Sequence, residues 1–87
     1  MIKYTKHASG KFVSLEKAGF VVKRVQVRAT ILNPESGPTE GRFGTKIVVK
    51  CLNKDHSLRV IYVQSNDIIT VITFYPVEKG RYEQKKN

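Results

Sequence analysis

The second half of the chain carries three segments rich in β-branched and aromatic residues, and short polar turns separate them. The segments are residues 46–52, 58–64 and 68–75. Such residues favour strands, and strands joined by short turns pair antiparallel because a parallel connection needs a long crossover. Residues 68–75 are apolar at consecutive positions, which is typical of a strand covered on both faces. We therefore predict an antiparallel unit with this third segment as its central strand, ended by Pro76.

Helical spacing replaces strand alternation in the first half, after a short predicted strand at residues 2–4. Thr5 is a suitable N-cap for a first helix, which Gly10 weakens and Gly19 is predicted to end. The apolar residues that share one face of this helix are Ala8, Phe12 and Leu15. The spacing therefore predicts an amphipathic helix that packs against the strands.

A second helix is predicted for residues 24–33, since Pro34 disfavours helical backbone in the residue before it. Residues 35–44 contain one proline and three glycines and are predicted to form a loop. The element order is then β-α-α-β-β-β. The 87 residues form one predicted α+β domain, residues 1–87, with two helices packed on one face of an antiparallel sheet. The side chains predicted to be buried are Phe12, Leu15, Val25, Ala29, Leu32, Val60, Ile72 and Phe74.

The net charge of the chain is more informative about its binding partner than any motif in the sequence. Sixteen Lys and Arg face seven Asp and Glu, which gives a net charge of +9 and indicates nucleic acid, an acidic protein or an anionic surface as partner. There is neither an 18-residue apolar run nor a secretory signal, so we expect nothing in the chain to span a membrane. The lone Cys51 excludes an internal disulfide, is consistent with the cytoplasm, and is predicted to be a small core residue.

No phosphate-loop, metal-ligand or nucleophile pattern is present, so we expect no metal and no cofactor. The remaining candidates are cations beside aromatic residues, which bind nucleic acid by holding phosphates and stacking on bases. Arg59 on a strand suits a phosphate or, alternatively, a structural ion pair. His7 is either an acid–base group or a local hydrogen-bonding residue. The candidate nucleic-acid-binding residues are Lys50, Tyr75, Lys79, Arg24 and Arg28, of which the last two share a helix face.

Several segments together resemble a known family. They are YTKHA at 4–8, ILNPE at 31–35 with Val25 upstream, LRVIY at 58–62, VITFYP at 71–76 and KGRY at 79–82. These segments resemble small uncharacterised bacterial and archaeal proteins that are similar to the RelE/ParE and BrnT toxin superfamily. The resemblance implies a RelE-toxin-like fold, cleavage of messenger RNA on the ribosome in some members, and an acidic antitoxin protein as partner.

The resemblance also implies roles for individual residues. Arg59 matches a strand arginine that holds the scissile phosphate, Lys46 matches a lysine that stabilises charge, and Arg81 and Tyr82 match a C-terminal pair. Val48 stands where a second lysine is expected. The function implied is a metal-independent endoribonuclease, in which the RNA 2′-hydroxyl attacks the phosphate and His7, Lys46 or Tyr82 moves protons. The alternative is a non-catalytic basic module that binds RNA or protein.

Overall fold

Two helices pack on one face of a five-stranded mixed sheet in the computed structural model, which describes residues 1–79. The helices are α1 (Lys6–Lys17) and α2 (Arg24–Leu32). The strands are β1 (Ile2–Tyr4), β2 (Ser36–Glu40), β3 (Lys46–Cys51), β4 (His56–Ser65) and β5 (Ile68–Glu78), with a 3-10 turn at Arg42–Gly44. Their order across the sheet is β1-β5-β4-β3-β2. The predicted α+β class with two helices is confirmed.

The sheet differs from the predicted one at both edges. β1 pairs parallel with β5, so the sheet is mixed rather than purely antiparallel. Residues 36–40, predicted as part of a loop, form β2 and pair with β3. The strand was not predicted because glycine and proline are uncommon in strands. Gly37 is needed here, since its φ is 91° and a Cβ at this position would clash with the Ile47 carbonyl oxygen. A register shift between Ser36 and Thr39 accommodates them.

β5 is longer and less central than predicted. It continues through Pro76 to Glu78, and β4 is the middle strand of the sheet. β1 pairs with β5 only along residues 69–71, so no described strand lies beside the other half of β5 on that side. Pro76 has no backbone N–H, and a proline is tolerated at such an unpaired edge of a sheet.

A bulge at Ile72 explains the continuous apolar run of β5. Ile61 pairs with Thr73 and Tyr62 pairs with Val71, so Ile72 is the extra residue. The bulge lets Val71 and Phe74 face the same side, where both are 0% exposed. Apolar residues at consecutive positions therefore reflect a change of register in β5 as well as burial.

One hydrophobic cluster joins both helices to one face of the sheet. Its buried members are Ala8, Val22, Val27, Ile31, Val48, Leu58, Val60, Tyr62, Val71 and Phe74. We call this side of the sheet the helix face and the opposite side the far face. The far face also contains buried residues, namely Val49, Ser57 and Val77.

The buried side of α2 is not the predicted one. Val25 and Leu32 are 65% and 59% exposed, whereas Val27, Thr30 and Ile31 face the core. Apolar residues lie along two sides of this helix in the sequence, and the side that is buried includes the polar residue Thr30. Thr30 is tolerated there because its hydroxyl donates to the Gln26 carbonyl at 2.8 Å.

Other burial predictions have mixed outcomes. Val60 and Phe74 are buried as predicted, and Phe12 and Leu15 pack partly buried against the core. The prediction for Cys51 was wrong. Cys51 is the last residue of β3 and is exposed. The strand register puts its side chain on the far face, which the helices do not cover. Ile72 and Ala29 are half-buried.

Thr5 attaches the start of α1 to β5. Its N–H donates to the Val71 carbonyl at 3.1 Å and its hydroxyl donates to the Ile72 carbonyl at 3.2 Å. The same hydroxyl accepts from the Ala8 N–H at 3.1 Å, which confirms the predicted N-cap. α1 stops before Gly19, as predicted, but it is not broken at Gly10, where the sequence predicted a weak or broken helix.

Replacing Thr5 by Val removes the hydroxyl and keeps the shape of the side chain. We expect a loss of about 1–2 kcal/mol in the free energy of unfolding, because a helix cap and a bond to β5 disappear together. Thr5→Ser retains the hydroxyl and is the matched control. Urea unfolding in which the Val and Ser variants are equally stable would contradict this role.

Candidate nucleic-acid interface

Arg59 and Tyr75 lie side by side on the far face. They are direct cross-strand partners on β4 and β5. Arg59 Nη1 donates to the Tyr75 hydroxyl, and the guanidinium carbon lies 5.5 Å from the centre of the tyrosine ring. Both residues are half-buried, and Val49, the neighbour of Arg59 on β3, is buried. Rigid strands and a hydrogen bond therefore hold this guanidinium in place.

α1 adds two further side chains beside this pair. Lys11 Nζ lies 5.7 Å from the centre of the Tyr75 ring, and His7 Nε2 lies 3.2 Å from Thr73 Oγ1. His7 and Lys11 are one helical turn apart, and Thr73 and Tyr75 are two residues apart on β5. This contact occurs because α1 starts at the edge of β5 that β1 leaves unpaired.

We call these five residues the basic cluster: His7, Lys11, Arg59, Thr73 and Tyr75. The Arg59 guanidinium carbon and the Lys11 ammonium lie 5.5 and 5.7 Å from the centre of the same tyrosine ring, and the His7 imidazole contacts Thr73 of the same strand. The guanidinium fork and the ammonium can bind phosphate oxygens, and the ring can stack on a base. An imidazole is a group that can accept or donate a proton in catalysis. The side chains of the cluster are thus of the types that suit phosphate binding, base stacking and proton transfer.

The structure does not bring Lys46 to this cluster. Lys46 is paired with Tyr62, a core residue of the helix face, whereas Arg59 is paired with Val49 on the far face. Lys46 Nζ lies 3.2 Å from Glu40 Oε2 across the β2–β3 pair. The two candidate catalytic residues on β3 and β4 thus lie on opposite faces of the sheet.

Lys50 lies on the same face as Lys46, as the spacing predicts. Its ammonium donates to the carbonyl of Asn33 at 2.9 Å, at the C-cap of α2. A cation at this position satisfies a terminal carbonyl and interacts favourably with the helix dipole. Lys50 therefore stabilises the end of α2 and lies on the face of the sheet opposite to Arg59.

Arg24 and Arg28 share one face of α2, as predicted, but they lie with Tyr4 rather than with Arg59. The Arg24 guanidinium carbon lies 4.6 Å from the centre of the Tyr4 ring and 4.8 Å from that of Phe12. Burial raises the pKa of the Tyr4 hydroxyl, and the charges of Arg24 and Arg28 partly oppose that rise.

The remaining candidates lie at the C-terminal end of the chain. Lys79 is exposed, and its backbone N–H donates to the Asp55 carbonyl at 3.0 Å. Arg81 and Tyr82 lie outside the described residues. The structure therefore brings together Arg59, Tyr75 and His7 from the predicted set.

Sequence reasoning missed Lys11 and Thr73. Both carried a usable signal, since Lys11 is four residues after His7 on the predicted helix and Thr73 shares a strand face with Tyr75. What the sequence lacked was the position of α1 along β5. That position depends on the bonds from Thr5 to the residues of the bulge.

Within residues 1–79, no three His, Cys, Asp or Glu side chains are grouped as metal ligands would be. The two described helices are both too short and too polar to cross a membrane. Comparisons with family models, curated proteins and solved structures gave no match. The geometry of the cluster and the charge of the chain are therefore the basis for a functional proposal.

Proposed function

We propose that this protein is a RelE-like, toxin-type RNA-binding protein that cleaves messenger RNA without a metal ion. The observation that carries the proposal is the Tyr75 ring with both Arg59 and Lys11 beside it and with His7 one helical turn from Lys11. The sequence resemblance to the RelE/ParE and BrnT superfamily supports the same class. Messenger RNA as substrate implies a cytoplasmic site of action.

Single-stranded RNA suits the chemistry of the basic cluster better than a duplex does. A base stacked on Tyr75 would place its neighbouring phosphates near Arg59 and Lys11, which both lie beside the ring. Bases in a duplex are already stacked on each other and cannot use the ring in this way. The net charge of +9 adds long-range attraction for any polyanion.

Cleavage would proceed by attack of the 2′-hydroxyl on the adjacent phosphorus. A bond from the 2′-oxygen to phosphorus forms and the bond from phosphorus to the 5′-oxygen breaks, leaving a 2′,3′-cyclic phosphate. His7 accepts the proton of the 2′-hydroxyl, and the departing 5′-oxygen takes a proton from solvent. Arg59 stabilises the charge that builds on the phosphate oxygens.

Binding without cleavage is the second candidate, and the position of Lys46 favours it. The lysine that the resemblance assigns to catalysis pairs with Glu40 on the helix face, away from Arg59. Val48 stands where a further lysine is expected and is buried in the core. A protein of this kind would bind RNA or an acidic partner through the same cations and leave the RNA intact.

Incubation of single-stranded RNA with the purified protein in EDTA separates the two candidates. We expect cleavage of RNA, products ending in a 2′,3′-cyclic phosphate, and no cleavage of DNA of the same sequence, because DNA lacks the attacking hydroxyl. His7→Gln should slow cleavage by about 100-fold or more while RNA affinity stays within about threefold. Binding with no cleavage by any variant would favour the non-catalytic candidate.

Arg59 is tested by the salt dependence of RNA binding. Arg59→Gln should weaken binding by about 1–3 kcal/mol and reduce the slope of log K against log salt by about 0.7, the contribution of one single-strand phosphate contact. Arg59→Lys keeps the charge but lacks the fork, so it should recover only part of the affinity. Fluorescence anisotropy with a labelled RNA measures all of these quantities.

Lys46→Gln is the matched control, since it removes one positive charge on the opposite face of the sheet. Its affinity should stay within about threefold of the wild-type value. Melting curves on each variant distinguish a binding role from a structural one. Arg59 variants that melt earlier and still bind and cleave RNA normally would show that Arg59 only supports the fold.

A further inference from the structure

A surface pocket lies between β1 and the start of α2, on the helix side of the sheet. It has a volume of about 230 Å³ and is lined by Ile2, Tyr4, Arg24, Val25 and Arg28. The basic cluster, by contrast, is formed by α1 with the far face of β4 and β5, and none of its residues lines this pocket. The pocket is therefore a site that the proposed RNA cleavage does not use.

Two guanidinium groups share this pocket without a carboxylate beside them. Arg24 and Arg28 are four residues apart on α2, a spacing at which like charges repel and slightly destabilise a helix. Among the residues that the structure describes, no carboxylate lies within 4 Å of either guanidinium. Burial raises the pKa of Tyr4, and the charges of both arginines oppose that rise, which shows that both act on this one side chain. The pocket thus concentrates positive charge that a bound anion would neutralise.

Aromatic rings hold one of the two guanidinium groups in place. Tyr4 and Phe12 have ring centres 5.6 Å apart, and the Arg24 guanidinium carbon lies 4.6 and 4.8 Å from these centres. Phe12 in turn packs against the buried Phe74, with ring centres 4.7 Å apart. A guanidinium positioned by two rings has less rotamer freedom to lose when it binds an anion. Arg24 is therefore pre-organised for a charge-assisted hydrogen bond.

The rest of the pocket lining is aliphatic or aromatic. Ile2 and Tyr4 are half-buried against the core, and Val25 is 65% exposed beside them. A cavity of about 150 Å³ is large enough to bind benzene, whereas drug-sized ligands occupy about 300–1,000 Å³. A volume of about 230 Å³ therefore fits one ring or branched chain together with one acidic group.

We propose that this pocket binds a small organic acid, with a compact apolar body against the aliphatic and aromatic lining and its carboxylate or phosphate on Arg24 and Arg28. The apolar body accounts for the hydrophobic part of the lining, and the acidic group accounts for two guanidinium groups without a described carboxylate partner. The ligand is a free small molecule, and its binding does not depend on whether the chain binds or cleaves RNA.

Single-stranded RNA suits this pocket less well than a small acid does. Its phosphates could bind Arg24 and Arg28, but each phosphate is joined to a polar ribose. A ribose would leave the aliphatic side chains of Ile2 and Val25 without an apolar contact. The test below therefore treats RNA binding at the pocket as an outcome that contradicts the proposal.

Titration of isotope-labelled protein with four fixed compounds, followed by NMR, tests the proposal. Phenyl phosphate and phenylacetate combine an apolar ring with an acidic group, benzyl alcohol has only the ring, and inorganic phosphate has only the acidic group. We expect at least one of the two ring acids to bind with a Kd of about 1 mM or below. Benzyl alcohol and inorganic phosphate should bind about tenfold or more weakly, because each lacks half of the contacts. The tighter of the two ring acids identifies the acidic group that the arginines prefer.

Three single variants locate the binding site. Arg28→Gln should weaken binding of the tighter acid by about fivefold or more, since it removes one guanidinium. Val25→Phe leaves the net charge unchanged but puts a larger side chain into the lining, so it should weaken binding to a similar extent. Arg42→Gln is the matched control, because it makes the same change as Arg28→Gln at an exposed residue outside the pocket, and its affinity should equal that of wild type. Melting curves check that each variant is folded.

Several results would overturn the proposal. Equal affinity for all four compounds, equal affinity of Arg28→Gln and Arg42→Gln for the tighter acid, or chemical-shift changes away from the pocket would each do so. Single-stranded RNA is titrated against the same variants. Because Val25→Phe removes no charge, a loss of RNA affinity in this variant would also overturn the proposal and would assign the pocket to RNA.

Discussion

The bonds between Thr5 and β5 determine where α1 lies, and most of the functional geometry depends on them. The Thr5 N–H and hydroxyl donate to the carbonyls of Val71 and Ile72, at the bulge where the register of β5 changes. The helix that begins there runs beside the half of β5 that β1 leaves unpaired. His7 and Lys11 consequently lie against Thr73 and Tyr75. A different attachment point would separate the histidine and lysine from the strand arginine.

Lys46 and Lys50 lie on one face of the sheet and Arg59 lies on the other, and their contacts differ. On the helix face, Lys46 pairs with Glu40 and Lys50 caps the end of α2. Arg59 lies on the far face beside Tyr75, and Lys11 approaches the same tyrosine from α1, at the unpaired edge of β5. Net charge alone therefore says that a polyanion is attracted but not which cations it contacts, since some of them stabilise the fold itself.

The sequence predicted where helices begin and end better than it predicted which side of each helix or strand is buried. The Thr5 cap, the end of α1 before Gly19 and the bounds of α2 follow from local chemistry and are confirmed. The pairing of Arg59 with Tyr75 could be anticipated from a hairpin of β4 and β5. The buried stripe of α2 could not, because two apolar stripes compete and only tertiary packing chooses between them.

Non-local pairing explains the other differences. The parallel β1–β5 pair and the short β2 join residues far apart in sequence, and no local signal specifies either of them. The bulge at Ile72 shifts which residues of β5 face the helices. Lys46 was grouped with Arg59 by resemblance, but the strand register puts the two on opposite faces.

The central claim is that the basic cluster, assembled by α1 and by the far face of β4 and β5, binds RNA. Titration of isotope-labelled protein with a short single-stranded RNA, followed by backbone and side-chain NMR, tests it directly. We expect the largest chemical-shift changes at His7, Lys11, Arg59, Thr73 and Tyr75, and little change at the side chains of Lys46 and Lys50. Changes centred on those two lysines, with the cluster unaffected, would contradict the account.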